Sequence, residues 1–191
     1  MELFEALKSR RSIAKLKPDA VPRETLEKIL ESALWAPNHK RLEPWKFFVF
    51  SGDSREKLAN ALTENYRLDH PDASDEELET KGRKSAARVL AAPVTIVVTS
   101  DAHEDEILDL ENYAATSAAV EHILLAAHAL GLGATWRTGE AAYTTPRNAI
   151  KGLLGVEQST RIVALVILGY RDTEVKEGKR APLEEKVTWF D

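Results

Sequence analysis

Hydrophobic and polar positions along the 191-residue chain form two kinds of stretch. Short runs rich in β-branched or aromatic residues have the length of buried strands, at residues 45–50, 93–99, 134–137 and 161–170. Longer stretches with helical spacing or helix-forming composition predict helices at residues 2–10, 22–34, 54–69, 74–92, 109–130 and 146–154. The pattern therefore predicts four strands mixed with helices.

Several of these boundaries carry recognisable signals. Pro22 suits a first helical turn, where its missing N–H costs nothing. Ser74, with Glu77 three residues later, forms a capping-box pattern. Gly131 and Gly133 follow the last predicted turn of the helix at 109–130 and are expected to stop it.

The helix predicted at 109–130 is apolar on nearly all sides and rich in alanine. A helix without a polar face is typical of a buried position. Its many alanines would let a neighbouring element approach closely. This helix is therefore expected to lie at the centre of the molecule.

No repeat, low-complexity segment or linker divides the chain, so we expect a single domain over residues 1–191. Its mixture of helices and strands fits either an α+β or an α/β class. The tail over residues 173–191 is charged but ends in Trp189 and Phe190. Such residues are expected to be covered, either by the chain's own body or by a partner subunit.

The composition limits the possible function classes. There are no cysteines, which excludes disulfides, thiolate metal sites and a cysteine nucleophile. The formal net charge of -5 argues against a nucleic-acid partner. The N-terminus lacks a signal-peptide pattern, and no apolar run approaches the roughly 18 residues of a membrane span. We expect a cytoplasmic protein that does not enter the membrane.

Common catalytic and phosphate-binding motifs are missing from the sequence. The segment beginning at Gly131 resembles a dinucleotide fingerprint but has Trp136 at its third glycine position and follows a helix. No P-loop or serine-hydrolase elbow occurs, and the histidines lack metal-ligand spacing. His122 and His128 are expected to be satisfied core residues. An acid–base pair of Glu121 with His128 is the less favoured alternative.

Arg10, Arg11 and Ser12 lie at the end of the first predicted helix. Positive side chains there commonly complement the helix dipole, which is one interpretation. The alternative is a phosphate clamp, because guanidinium groups match phosphate oxygens and serine adds a short hydroxyl donor. Each such charge-assisted bond contributes roughly 1.5–3 kcal/mol.

Two further segments also allow two interpretations. The segment from Trp136 through Arg137 and Thr138 to Gly139 is either a strand end or a platform for a flat polar heterocycle. The segment from Trp35 to Lys40, which contains His39, is either a helix stop with a polar loop or part of the same kind of site.

Taken together, these motifs resemble the FMN-dependent nitroreductase family, and within it a subgroup of small NAD(P)H nitroreductases. The resemblance spans nearly the whole chain. The motifs that carry it are, in chain order, Ser9-Arg10-Arg11-Ser12, Lys17-Pro18-Asp19, Val21-Pro22, Ala36-Pro37-Asn38-His39, Pro44-Trp45-Lys46-Phe47, Gly131-Leu132-Gly133, Trp136-Arg137-Thr138-Gly139, Leu168-Gly169-Tyr170 and the segment 179–185.

The resemblance implies an α+β fold with a central, mainly antiparallel sheet surrounded by helices. It implies an intertwined homodimer that exchanges its C-terminal tail, with two FMN sites at the subunit interface. It further implies an oxidoreductase in which NAD(P)H delivers hydride to FMN. A small electron acceptor, such as a nitroaromatic or a quinone, then enters the same pocket and is reduced.

The same resemblance assigns site residues. Arg10, Arg11 and Ser12 match the phosphate contacts, and Arg180 matches a second phosphate-binding arginine. Trp136, Arg137, Thr138 and Gly139 match the isoalloxazine side, whereas Trp35 and His39 would reach the flavin bound mainly by the other subunit. Residues 126–131 match a stretch assigned to the nicotinamide cofactor.

One position departs from the family pattern. Many members carry Lys or Arg two residues after the motif serine, near the flavin pyrimidine, whereas this chain has Ala14 there, followed by Lys15. Charge stabilisation of the reduced flavin is therefore expected from Arg137.

The alternatives to an FMN-dependent oxidoreductase are a flavin-binding storage or sensing protein without turnover, and a dimeric scaffold whose arginines only cap helices.

Overall fold

The computed structural model describes residues 1–138, 148–175 and 177–190. Its strands form one sheet in the order β1-β2-β4-β3, and every neighbouring pair is antiparallel. The strands are β1 (Trp45–Ser51), β2 (Val94–Ser100), β3 (Leu132–Arg137) and β4 (Arg161–Tyr170). The expected α+β class with a central antiparallel sheet is confirmed.

Helices pack on both faces of this sheet. They are α1 (Leu3–Ser9), α2 (Arg23–Ala33), α3 (Ser54–Asp69), α4 (Asp75–Glu77), α5 (Arg83–Leu90), α6 (Glu106–Ala129) and α7 (Ala149–Leu154). A π-helical turn, Leu78–Gly82, joins α4 to α5. Short 3₁₀ turns lie at His39–Arg41 and Leu183–Glu185.

The capping box at Ser74 and Glu77 is present as predicted, but other boundaries differ from the sequence pattern. Helix α6 begins three residues earlier than expected, because the Asp105 carboxylate accepts hydrogen bonds from two backbone N–H groups of its first turn. Strand β3 begins at Leu132, because Gly131, with a φ of 83°, turns the chain directly out of α6. Pro22 precedes α2 as its N-cap residue.

The core has two layers, one on each face of the sheet. Helix α6 lies with α2 on one face, where Ala119, Val120 and Ile123 are fully buried among side chains of β2, β3 and β4. Helices α3, α5 and α7 cover the other face around Val89, Val97 and Leu165. The prediction that the alanine-rich helix is central is confirmed.

None of the described helices combines the length and the apolar composition that crossing a bilayer requires.

Gly169, near the end of β4, lies directly under Pro93. A Cβ atom at position 169 would lie 2.6 Å from the Cγ of this proline ring. Gly169→Ala is therefore expected to lower the free energy of unfolding by about 1–3 kcal/mol through overpacking. Gly152→Ala in α7 is the matched control, because a Cβ there meets nothing within 4 Å. It should stabilise by about 0.5–1 kcal/mol, and chemical denaturation of both variants measures the difference.

Asp109, in the first turn of α6, forms an ion pair with Arg161 at the start of β4. The hydrogen bond from Arg161 lowers the pKa of the Asp109 carboxyl, and a further bond from the His103 N–H acts in the same direction. The folded protein thus holds the charged form more tightly than the unfolded chain does. This contribution to stability is present above the unfolded pKa and is lost as the pH falls through the folded pKa.

Asp109→Asn should therefore lower the free energy of unfolding at pH 7 by about 1–2 kcal/mol, because Arg161 is half exposed and its charge is partly screened. The difference between variant and wild type should shrink as the pH falls below about 4, where the aspartate of the unfolded chain begins to bind a proton. Urea denaturation at several pH values measures this. A difference that stays constant between pH 7 and pH 3 would remove Asp109 as its source.

Candidate functional site

The segment after α1 lies along the outer edge of β3. Ser12 forms a β-bridge with Ala134, and the Ile13 N–H donates to the Ala134 carbonyl over 3.0 Å. The Thr135 hydroxyl donates in turn to the Ile13 carbonyl over 2.7 Å. This pairing places Ser12 beside the strand that ends in Trp136 and Arg137. Two of the segments singled out in the sequence are thereby brought together.

Arg10 ties the end of α1 to α6. Its Nε lies 3.4 Å from the Glu121 carboxylate, and its side chain is 21% exposed. Next to it, the Ser9 hydroxyl and the His128 Nε2 are 2.7 Å apart. Glu121 and His128 therefore have different partners, and the alternative of an acid–base pair between them is wrong. His128 is a buried, hydrogen-bonded residue, as expected.

Arg11 points back over the end of its own helix. Its Nη1 donates to the Lys8 carbonyl over 2.7 Å and also to the Arg10 carbonyl, as a residue complementing a helix C-terminus does. Its Nε, however, is buried without a hydrogen-bond partner. Gly178 of the C-terminal tail lies so close to the guanidinium that a side chain there would displace it. An orphaned buried donor of this kind fits an anionic ligand.

A cavity of about 530 Å³ opens beside Arg11, lined also by Lys8, Ser9, His128 and Arg171 and by two carboxylates, Glu5 and Glu177. Burial lowers the pKa of His128 first, and the positive charges of Arg171, Arg10 and Arg11 lower it further. The imidazole is therefore held neutral at pH 7, in surroundings where positive charge dominates. Such surroundings favour a phosphate group over a cation.

Trp136 and Arg137 project from opposite faces of the sheet, because successive side chains of a strand alternate. Trp136 packs against the α6 side of the core, and its indole N–H donates to the Val163 carbonyl over 3.2 Å. Arg137 is half-buried and forms neither an ion pair nor a hydrogen bond within the part of the chain that the structure describes. Burial, and secondarily the charge of Arg88, lower its pKa. Thr138 follows at the end of β3, and Gly139 lies outside the described residues.

Trp35 and His39 lie away from the Arg10 segment within one chain. The Trp35 side chain is 85% exposed, and the His39 Nδ1 lies 3.3 Å from the Glu111 carboxylate on α6. Glu111 and Glu121, the partner of Arg10, are ten residues apart, so about 15 Å of helix separates the two contacts. One chain therefore carries two separate groups of candidate residues.

The loop around His39 is conformationally strained. Lys40, Arg41 and Glu43 have φ values of 49°, 59° and 46°, a region that residues other than glycine rarely adopt. The Asn38 side chain holds the loop by accepting a hydrogen bond from the Glu43 N–H over 3.1 Å. Backbone strain of this kind is concentrated at functional sites. The sequence pattern gave no signal for it.

The C-terminal tail leaves large apolar side chains uncovered. Trp189 and Phe190 are 77% and 95% exposed, and Arg180 donates only to the carbonyl of its neighbour Lys179 among the described residues. No contact between described residues joins Arg180 to Arg10, Arg11 or Ser12. A second exposed apolar group lies on α1, formed by Leu3, Phe4 and Leu7.

Sequence reasoning missed two arginines near these segments. Arg171, just after β4, lines the cavity beside Arg11 and donates from Nε to the Gly131 carbonyl over 3.1 Å. Arg88, on α5, acts electrostatically on Arg137. Arg171 could have been found from its position directly after the Leu-Gly-Tyr strand end. Arg88 lies in a helix crowded with charges and carries no comparable signal.

Among the described residues, no group of three or more His, Asp or Glu side chains could hold a metal ion.

The family model for the Nitroreductase family matches residues 7–170 of the chain. The chain belongs to the nitroreductase family. Among its relatives, the Bacillus subtilis protein named "Putative NAD(P)H nitroreductase YfhC" is 30% identical over 187 residues, which cover 97% of this chain and 93% of that protein. The resemblance inferred from the N-terminal and Trp-Arg-Thr motifs is therefore confirmed.

Solved structures agree with this assignment. A nitroreductase-like family protein from Bacillus cereus is 30% identical, with a TM-score of 0.87 over 100% of this chain and 97% of that chain. The FMN complex of a "putative nitroreductase" from Desulfovibrio desulfuricans is 26% identical, with a TM-score of 0.73 over 100% and 98% of the two chains. The chain thus shares its fold with a relative that binds FMN.

Proposed function

We propose that this nitroreductase is an FMN-dependent oxidoreductase that takes electrons from NAD(P)H and passes them to a small acceptor such as a nitroaromatic or a quinone. The observation that carries the proposal is the pairing of Ser12 with Ala134. This bridge holds the Arg10–Ser12 segment beside Ala134 of β3. Arg137, which has no partner among the described residues, lies three residues after Ala134 on the same strand. At about 3.3 Å per residue the two positions are about 10 Å apart, a separation that suits the two ends of a flavin mononucleotide.

The phosphate end is assigned to Arg10, Arg11 and Ser12. The buried Arg11 Nε lacks a partner, and phosphate oxygens are strong acceptors for such a donor. Lys8 and Arg171 add positive charge nearby. Arg180 joins this set through the tail, whose Gly178 already lies against Arg11.

The ring end is assigned to Arg137, Thr138 and Gly139 and to the backbone of Trp136, because the Trp136 side chain packs on the opposite face of the sheet. Bound FMN supplies the redox chemistry, since its ring system accepts a hydride and later releases the electrons. Arg137 holds a positive charge in a partly dry position, and none of the described carboxylates is paired with it. A cation there stabilises negative charge on a reduced ring more strongly than it would in bulk water. Arg137 thereby fills the role left open by Ala14.

The proposal includes a homodimer in which each site is completed by the second copy. His39 contacts Glu111, which lies about 15 Å along α6 from Glu121, the partner of Arg10, so these two residues do not meet within one chain. The neighbouring Trp35 is exposed and can contact a second chain. The apolar side chains of α1 and of the tail are exposed in the same way and suit burial between two copies.

In residues 126–131, Ala127 and His128 are buried, so any nicotinamide contact in this stretch falls on its exposed end at Ala129 and Leu130.

Titration of the apoprotein with FMN, followed by anaerobic mixing with NADH or NADPH, tests the proposed function. We expect tight FMN binding and bleaching of the flavin absorbance by at least one nicotinamide. The absorbance should return when a nitroaromatic or a quinone is added. Flavin that binds but is not reduced would instead favour storage or sensing. Protein that binds no FMN would leave only a structural role for the arginines.

A further inference from the structure

Arg88 and Arg137 form an unusual pair of cations. Most arginines in the described parts of the chain donate to a carboxylate or a backbone carbonyl, whereas Arg41, Arg88 and Arg137 have no such partner. Lys84, one turn before Arg88 on α5, has none either. Lys84 lines a pocket together with Asp69, Asp72 and Glu77, whereas Arg88 is exposed on α5 and has no ion-pair partner among the described residues.

The sheet places Arg137 on the same side as α5. Arg137 lies directly opposite Leu165 in the β3–β4 ladder, and side chains at opposed positions of an antiparallel pair share a face. Leu165 packs in the same cluster as Val89 of α5, the residue next to Arg88. Arg88 and Arg137 therefore belong to the same face of the sheet, and neither is paired with a carboxylate among the described residues. The charge of Arg88 also lowers the pKa of Arg137.

Like charges held together, one of them partly dehydrated, raise the free energy of the protein unless an anion joins them. Arg137 is half-buried and is already assigned to the flavin ring, whereas Arg88 is exposed and faces the solvent from which an acceptor arrives. We propose that Arg88 is a specificity-determining residue that selects acceptors carrying a negative group, such as aromatic carboxylates. This inference rests on the proposed function, since it assigns Arg88 to the acceptor side of the same site.

Kinetics with a matched pair of acceptors test the inference. For the wild-type holoprotein we expect kcat/KM for 4-nitrobenzoate to exceed that for the neutral 4-nitrobenzamide. Arg88→Ala should lower the 4-nitrobenzoate value about tenfold, as for the loss of one charge-assisted contact. It should leave the 4-nitrobenzamide value and the FMN dissociation constant unchanged. Arg88→Glu should reverse the preference.

Arg83→Ala is the matched control, because Arg83 lies on the same helix but is already paired with Glu79 over 2.8 Å. It should not change the ratio of the two acceptors. A wild-type ratio near one would overturn the inference, as would an equal loss for both acceptors in Arg88→Ala. Weakened FMN binding in that variant would move Arg88 to the flavin instead.

Equilibrium binding separates this inference from the proposed function. Calorimetric titration of each acceptor into oxidised holoprotein needs no turnover, so it reports the subsite even if neither nicotinamide reduces the flavin. We expect 4-nitrobenzoate to bind more tightly than 4-nitrobenzamide, and we expect Arg88→Ala to remove that difference. Equal affinities in the wild type would contradict the subsite, whatever the reduction experiment shows.

Discussion

Replacing Arg10 with alanine is expected to weaken FMN binding by about 10- to 100-fold, the range for one lost charge-assisted phosphate contact. Two effects act in the same direction. The substitution removes a guanidinium from the proposed phosphate end, and it leaves the Glu121 carboxylate, now 3.4 Å from Arg10, without its partner. An uncompensated negative charge there repels a phosphate. Fluorescence titration of the apoprotein with FMN measures the change.

Two further variants make this result interpretable. Arg23→Ala is the control, because Arg23 is also paired with a glutamate but lies exposed on α2, and it should bind FMN normally. Glu121→Gln should bind FMN at least as tightly as the wild type, since Arg10 is then free for the phosphate. Unchanged affinity in Arg10→Ala would remove Arg10 from the phosphate site. Equal losses in Arg10→Ala and Arg23→Ala would point to a general effect on folding.

The combined variant Trp189→Ala and Phe190→Ala is expected to convert the proposed dimer to a monomer. Both side chains are largely exposed in one chain, and burying each against a second copy stabilises by about 1.5–3 kcal/mol. Because both chains of a homodimer contribute the same two side chains, the dimer loses this burial energy twice. The dissociation constant of the dimer should therefore rise at least about 100-fold, and FMN should be lost with it. Sedimentation velocity over a range of concentrations measures the change.

The fold of one chain should survive this change, because neither aromatic side chain belongs to the two core clusters. Circular dichroism should thus match the wild type. Leu153→Ala serves as the control, since Leu153 is a partly exposed apolar residue on α7, outside the tail. An unaltered dimer in the tail variant would show that the tail does not pack on the second copy.

The strands and the central helix could be predicted from the sequence because their signal is local. The β-branched run of β4 and the all-round apolar surface of α6 each suffice to identify a buried element. The order of strands in the sheet could not be predicted in this way. It depends on which edges meet after folding, and here β4 lies between β2 and β3.

The candidate site was predictable only in part. The motif residues Arg10 to Ser12 and Trp136 to Thr138 were identified, but the sequence does not show that the Ser12–Ala134 bridge joins them. The alternation of strand side chains could have indicated that Trp136 and Arg137 face opposite sides. The approach of Arg88 to Arg137 depends on how α5 packs on the sheet, a long-range contact without any local signal.

Mixed dimers test most directly the claim that each flavin site is shared between two chains. Arg10→Ala and His39→Ala chains, carrying different affinity tags, are co-expressed, and the mixed dimer is isolated through both tags. If Arg10 of one chain and His39 of the other serve the same site, the mixed dimer holds one intact site and one doubly altered site. We expect about one FMN per mixed dimer and far less in either homodimer. A mixed dimer that retains no more FMN than the two homodimers would contradict the shared site.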